Sequence, residues 1–368
     1  MSEPIFDQDL PLDTLGRMLE EFLSPEEAAE LFLAMREQND VTDVKRGELY
    51  PEILGGAFQL RRVLAGVYGV DPVQAQPNFG CNGCIDTLLT FVRQLELSGH
   101  HRSGFMAATP TYFRYYHKVQ ALGMKFFAVP FDAGYRYPVE RVLSEMRRRR
   151  PSCIFLVSPN NPTGVPIPDE ELCTLLDSIP DDVYVAVDRT CANIDREVST
   201  RALLERYRDK NLLVFHSFSK YYGMSHLRIG FALVSNKETA TELNRHLPFG
   251  LNLEALLRAT RMLITRGELR PDPDVLQNIR DNKTLMREFL FSRPDFSCTD
   301  FKGNYALLFL PASLDSTALT QHLLAQRILV MPGLELPEPD GRYIRVHVGG
   351  KPVLLERLIK AIEKWQPT

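Results

Sequence analysis

The chain lacks any imbalance of charge: its 368 residues include 43 basic and 47 acidic side chains, for a formal net charge of −4. No electrostatic footprint therefore marks nucleic acid or an anionic membrane as a partner. It also lacks an apolar stretch approaching the ~18 residues that a membrane-crossing helix requires. Its start, "MSEPIFDQDLPLD", has neither the basic beginning nor the apolar centre of a signal peptide. A soluble, cytoplasmic protein is expected. Repeats and low-complexity linkers are absent too, and the one dense basic run, Arg147 to Arg150, follows "VERVLSEM" and reads as the solvated end of a helix.

The six cysteines, Cys81, Cys84, Cys153, Cys173, Cys191 and Cys298, form no compact framework, and several stand inside apolar runs. Reduced, mostly buried thiols are expected. The Cys-x-x-Cys of "FGCNGC" lacks the second ligand pair that a zinc site needs, and the eight histidines form no HExxH-like or Cys/His cluster. No metal is expected. Nor is the flanking pattern that of a thioredoxin-type redox pair, although a thiol at a helix amino terminus would have a lowered pKa and be open to modification.

What is present is an ordinary globular composition, 44% hydrophobic and 24% charged, with length for a large domain and a smaller one. Residues 15–38 read as two helical pieces, with Ser24 and Pro25 opening the second. From about residue 52 the pattern alternates between helix and short apolar strand. The strands are "SGFMAAT", "KFFAVPF", "SCIFLVSP", "VYVAVD", "NLLVFHSFS" and "RIGFALVS". Strands apolar on both faces and separated by helical spans predict an α/β fold with a doubly wound, mainly parallel sheet. Beyond "LPFGLNLEALLRATRMLI" come a long polar helix, the strands "NYALLFLP", "ILVMP" and "YIRVHVG", and a closing helix, an α+β annex. The expected division is an amino-terminal helical arm (1–40) belonging to the small domain, a large α/β domain (41–255) and a small α+β domain (256–368).

In a doubly wound sheet, ligands bind at the carboxyl ends of strands. There stand Asn160-Asn161-Pro162-Thr163-Gly164, then Asp188, then Ser219-Lys220, with Arg228 further on. Singly, these are a turn, a loop cap and a surface lysine. Together they have a chemistry: a lysine in an apolar neighbourhood can form a Schiff base with a carbonyl cofactor, a carboxylate can keep a pyridine nitrogen protonated, and serine with arginine can clamp a phosphate.

The stretch "SFSKYYGMSHLRIG", with "SPNNPTG" and "VAVD" upstream, resembles the fold-type-I pyridoxal-phosphate enzymes, and more narrowly the class I/II aminotransferases of the histidinol-phosphate aminotransferase-like branch. The likeness runs from "LYPEILGGAFQLRRVLAGVYGV" to "YIRVHVG". It implies pyridoxal 5'-phosphate as cofactor and transfer of an amino group between an L-amino acid and a 2-oxo acid. By that resemblance Lys220 is the Schiff-base lysine and then the base that moves the substrate's proton. Asp188 pairs with the pyridine nitrogen, Asn161 donates to the phenolic oxygen, and Ser217, Arg228 and Ser219 bind the phosphate. Tyr112 stacks on the ring. Tyr50, in "LYPE", matches a tyrosine that reaches the neighbouring subunit's phosphate, which implies a homodimer with shared active sites. Arg345 binds the substrate carboxylate through the two-pronged geometry that suits arginine, with Asn304 lining that pocket or serving only as a turn residue.

The same resemblance gives "FGCNGC" a place as a phosphate-cradling helix start. Gly83 would allow close approach, the amides of Gly83, Cys84 and Ile85 would be free donors, and Asn82 would add a side-chain contact. Three features depart from the family, one of them Ile85, which replaces a residue that is often polar. Asp188 is followed by Arg189-Thr190-Cys191 where relatives carry a tyrosine that donates to the phenolic oxygen, and a helical arm replaces a short Asn-containing loop. A thiol is a poor replacement donor. Two alternatives therefore stand beside amino transfer: elimination, cyclisation, decarboxylation or oxidative deamination in a specialised pathway, and a non-catalytic cofactor-binding regulator. Arg189, His226, Phe249 and Lys302 are left as candidates for approaching the substrate pocket.

Overall fold

The computed structural model describes residues 50–99, 102–196, 198–247, 250–333 and 341–365, and of residues 50–56 and 133 the backbone alone. The expected helical arm at 15–38 and Phe249 lie outside the described residues. The chain divides into two compact units, a larger one up to Asn161 and again over Val165–Asp272, and a smaller one of Pro162–Gly164 and the residues from Pro273 onward.

In the larger unit the helices are α1 (Tyr50–Tyr68), α2 (Gly80–Leu97), α3 (Phe113–Ala121), α4 (Val139–Arg149), α5 (Asp169–Ser178), α6 (Thr200–Arg206), α7 (Phe218–Tyr221), α8 (Lys237–Leu243) and α9 (Leu253–Arg266). The strands are β1 (Ala75–Asn78), β2 (Phe105–Thr109), β3 (Phe126–Pro130), β4 (Cys153–Val157), β5 (Tyr184–Asp188), β6 (Leu212–Ser217) and β7 (Gly230–Val234). They form one sheet in the order β1-β7-β6-β5-β4-β2-β3. Pairing is parallel from β3 through β6, and antiparallel between β6 and β7 and between β7 and β1. Every residue of β2, β4 and β6 is buried, as their unbroken apolar runs require of strands covered on both faces.

β1 has no counterpart among the expected strands. Its sequence, Ala-Gln-Pro-Asn, is not apolar, and its pairing with β7 makes it an edge strand, the place in a sheet where Pro77 is tolerated. The run Arg147 to Arg149 does end a helix: it fills the last turn of α4, where cations oppose the negative end of the helix dipole. Aromatic rings pack the centre of the unit, with Phe155 4.5 Å from Tyr115, 5.0 Å from Phe105 and 5.8 Å from Phe215, centroid to centroid. A ring so enclosed contributes about 3–5 kcal/mol relative to alanine.

The smaller unit contains α10 (Pro273–Ser292), β8 (Ser297–Cys298), β9 (Tyr305–Phe309), α11 (Ser316–Ala325), β10 (Met331–Pro332), β11 (Tyr343–His347) and α12 (Pro352–Glu363). Its sheet has the order β10-β11-β9-β8, antiparallel throughout. Helix α11 was not expected, because "STALTQHLLA" shows little amphipathic contrast. Its start is nevertheless written locally: Asp315 Oδ1 accepts from the amides of Thr317 and Ala318.

Candidate active site

Register brings the expected residues of the larger unit to one level. Asp188 pairs across the sheet with Val157 on β4 and Phe215 on β6, so the segments after those strands, Ser158 to Asn161 and Ser217 to Lys220, flank it at the carboxyl edge. Asp188, Asn161, Ser217, Ser219 and Lys220 are all buried. Strand β6 stops because Ser217 caps the next turn: its Oγ accepts from Ser219 N at 3.1 Å, which leaves the hydroxyl proton free to donate. Asn160 ties the β4 loop to the one bearing Tyr112, donating through Nδ2 to Pro110 O at 2.9 Å.

Helix α2 begins at Gly80, earlier than the sequence reading placed it, and this corrects the amide cradle. Gly83 N is already bonded to Phe79 O at 3.3 Å, so the amides without a helical partner are those of Gly80, Cys81 and Asn82, not those of Gly83, Cys84 and Ile85. Gly83 has a different reason to be glycine, since a Cβ there would stand 2.0 Å from Asn78 Oδ1. Cys84 is buried in the core beneath the helix.

At the helix start, Gly80 takes φ +64°, and a Cβ on it would come within 3.2 Å of an Arg228 Nη, so the guanidinium sits against the helix amino terminus. Asn82 Oδ1 accepts from the Tyr112 hydroxyl at 3.0 Å, joining the start of α2 to the residue preceding α3. A helix amino terminus with an arginine beside it is an anion site.

The Cys81 and Cys84 thiols are pushed well up, first by burial and then by the Asp188 charge, the reverse of the lowering expected at a helix start. The helix-end field is worth at most ~2 kcal/mol, less than the penalty for ionising a thiol in the core. All six cysteines are free of disulfides, and no metal-holding cluster of His, Cys, Asp or Glu occurs among the described residues.

Three donors that the sequence does not assign to Asp188 bind it, two of them side chains. Its Oδ2 accepts from the Tyr115 hydroxyl and from Cys81 Sγ at 3.3 Å, while Oδ1 accepts from Thr190 N at 2.9 Å. The spacing of Tyr115 from Tyr112 hints at a shared helix face, but no local signal names Asp188 as its partner. Behind the strand ends lies a second buried network. Arg189 donates to Thr200 Oγ1 at 3.1 Å, and that oxygen is 2.8 Å from His216 Nε2. Burial, with Arg196 adding to it, pulls the Arg189 guanidinium down to about 10, and burial with both arginines holds His216 well below its usual range. Arg189 is thus committed to the interior, while His226 is exposed. The Tyr221 hydroxyl, beside Lys220 in sequence, donates to the backbone oxygens of Arg189 at 2.7 Å and Cys191 at 3.3 Å.

In the smaller unit, Arg345 is buried on β11 with its guanidinium carbon 4.6 Å from the Tyr305 ring centroid. Asn304 O accepts from Val348 N at 2.7 Å, and its side-chain amide occupies the space a Cβ on Gly349 would need. Gly164, at φ +71°, packs where a Cβ would meet Tyr305 O, so the Pro-Thr-Gly of the turn is fixed by packing. Lys302 is half-buried in the same unit. Tyr50 opens α1, and its side chain lies outside the described part.

A buried lysine and a buried carboxylate at neighbouring strand ends, next to an arginine-flanked helix start, suit a phosphate-bearing pyridine aldehyde. Fold and donor set together define a pyridoxal-phosphate-dependent enzyme. A family model for aminotransferase class I and II matches residues 26–362, and the chain belongs to that family, as a pyridoxal-phosphate-dependent aminotransferase. It is 28% identical to a histidinol-phosphate aminotransferase of Caldicellulosiruptor saccharolyticus, over 86% of this chain and 83% of that one. The fold is similar to that of histidinol-phosphate aminotransferase from Sinorhizobium meliloti in complex with pyridoxal-5'-phosphate, with TM-score 0.65, 19% identity and coverage of 97% and 96% of the two chains. It is also similar to that of a decarboxylase from Sulfurospirillum multivorans, with TM-score 0.72, 19% identity and coverage of 96% and 91%.

Proposed function

We propose that this aminotransferase moves the amino group between an L-amino acid and a 2-oxo acid through a Schiff base on Lys220. The observation that carries the assignment is that buried Asp188 ends β5 while buried Lys220 and buried Asn161 follow the ends of the neighbouring strands β6 and β4. Bound pyridoxal phosphate supplies a carbonyl for the amine and a ring that accepts an electron pair. The chain supplies the rest. Lys220 Nζ would hold the cofactor through its carbonyl carbon and would serve as the base that moves the proton at the amino acid's Cα. Asp188 holds the proton on the pyridine nitrogen, and Asn161 donates to the phenolic oxygen. The amides of Gly80, Cys81 and Asn82, with Ser217, Ser219 and Arg228, bind the phosphate. Tyr112, braced by its bond to Asn82, would stack on the ring. Arg345 takes the substrate carboxylate in a bidentate pair, and Asn304 lines its surroundings.

Exposed apolar side chains on α1 and α9, which pack together in the larger unit, support a homodimer: Phe58 is 60% exposed, Leu257 47% and Ile264 65%. Free thiols throughout the chain suit the reducing cytoplasm, and no described helix is long and apolar enough to cross a membrane.

The test uses the holoprotein with single amino acids and no acceptor. One equivalent of 2-oxo acid should be released per protomer, and none by Lys220→Ala. Failure with every amino acid tried, in protein that holds its cofactor, refutes amino transfer. Cys191 favours a second reading, other chemistry at the amino acid's Cα, because a thiol is the weaker donor where relatives carry a hydroxyl. Release of carbon dioxide or an eliminated group in place of oxo acid would establish it.

A further inference from the structure

The donors around Asp188 form a set that the proposed reaction leaves unused. Thr190 N serves Oδ1, while the Cys81 thiol and the Tyr115 hydroxyl both serve Oδ2. All three are neutral. A neutral donor fixes a carboxylate's direction and leaves its negative charge in place, whereas an arginine or lysine would cancel it. The two side-chain donors come from different helices, α2 and α3, and both are buried. Tyr115 is held further by its ring contacts with Phe155 and with Tyr112, 5.7 Å away and edge-on.

We propose that Cys81 and Tyr115 are positioning residues that orient Asp188 and set how strongly its charge acts on the pyridine nitrogen of bound cofactor. The inference rests on Asp188 being that nitrogen's partner. Each hydrogen bond to Oδ2 partly offsets the carboxylate's charge without cancelling it, so removing a donor strengthens its pull on the proton of the pyridine nitrogen, and that proton is held to higher pH. The thiol is the weaker donor and the adjustable one: serine in its place donates more strongly, alanine not at all.

The experiment loads each purified protein with cofactor labelled with nitrogen-15 in the pyridine ring and follows that resonance against pH. Where the midpoint lies outside the stable range, the resonance position at fixed pH is compared. Tyr115→Phe and Cys81→Ala should each raise the midpoint by about half a unit to one unit, and the double variant further. Cys81→Ser should not raise it. Unchanged values in Tyr115→Phe, Cys81→Ala and the double variant, with a moved resonance in Asp188→Asn, overturn the inference and leave the role of Asp188 intact. An unmoved resonance in Asp188→Asn sinks the Asp188 reading and this inference with it. If the Tyr115 or Cys81 variants do not fold, the infrared S–H band of the wild-type protein decides: the Cys81 band should shift on cofactor binding and in Asp188→Asn, and a band indifferent to both refutes the proposal.

Discussion

Gly83→Ala sets two physical effects against each other with opposite signs. On helix propensity alone, alanine in the first turns of α2 stabilises by up to about 1 kcal/mol. Packing says otherwise. The new Cβ would stand 2.0 Å from Asn78 Oδ1 and 2.8 Å from its Cγ, and Asn78 is buried with little room to yield. Its Oδ1 accepts from Phe79 N at 2.9 Å and its Nδ2 donates to Thr87 Oγ1 at 3.0 Å, so moving the amide breaks the bonds that join β1 to α2. Overpacking of this kind costs about 1–3 kcal/mol, and each disrupted buried hydrogen bond about 1 kcal/mol. The net expectation is roughly 3 kcal/mol of destabilisation. Urea unfolding of the apoprotein, followed by circular dichroism, should show a clearly lower midpoint. In an Asn78→Ala background the obstacle is gone, and Gly83→Ala should become neutral or stabilising. A wild-type-like or raised midpoint for the single variant, or the same loss in both backgrounds, would refute the packing account.

Lys220→Ala should abolish covalent attachment of the cofactor and reduce turnover by at least about a thousandfold, read from the visible spectrum and from oxo acid release. Arg345→Lys keeps the charge but loses the fork, and should raise KM for amino acid and oxo acid alike by roughly 10- to 100-fold, with a smaller effect on kcat. His216 predicts an acid limit to stability. Its folded pKa is depressed, so below the ordinary imidazole value of about 6.5 the unfolded chain binds a proton that the folded one resists. The stability is fully present above that pH and declines as pH falls toward the folded pKa, by up to ~1.4 kcal/mol per pH unit. His216→Gln should lose that share of the slope, and identical slopes for the two proteins below pH 6 would remove His216 from the account.

The sequence by itself determined six of the seven strands of the larger sheet and put the candidate site residues at their ends. Runs such as "CIFLV" and "LLVFHS" are legible as strands because a strand covered on both faces must be apolar at every position, and a parallel sheet places chemistry at the ends of such runs. Asp188, Asn161 and Lys220 could thus be found by position. β1 and α11 were hidden because one is polar and edge-bound and the other lacks an amphipathic stripe. Only the tertiary structure decided which amides at the start of α2 lack a partner, since one bond from Gly83 N to Phe79 O shifts the cradle toward Gly80. It also decided what Cys81 does. A local pattern presents that thiol as one half of a Cys-x-x-Cys, whereas the fold brings it across 107 positions of chain to share an oxygen of Asp188 with Tyr115. Periodicity records which face of an element is buried. Which two buried groups meet depends on how the elements pack, and that is settled by the whole core at once.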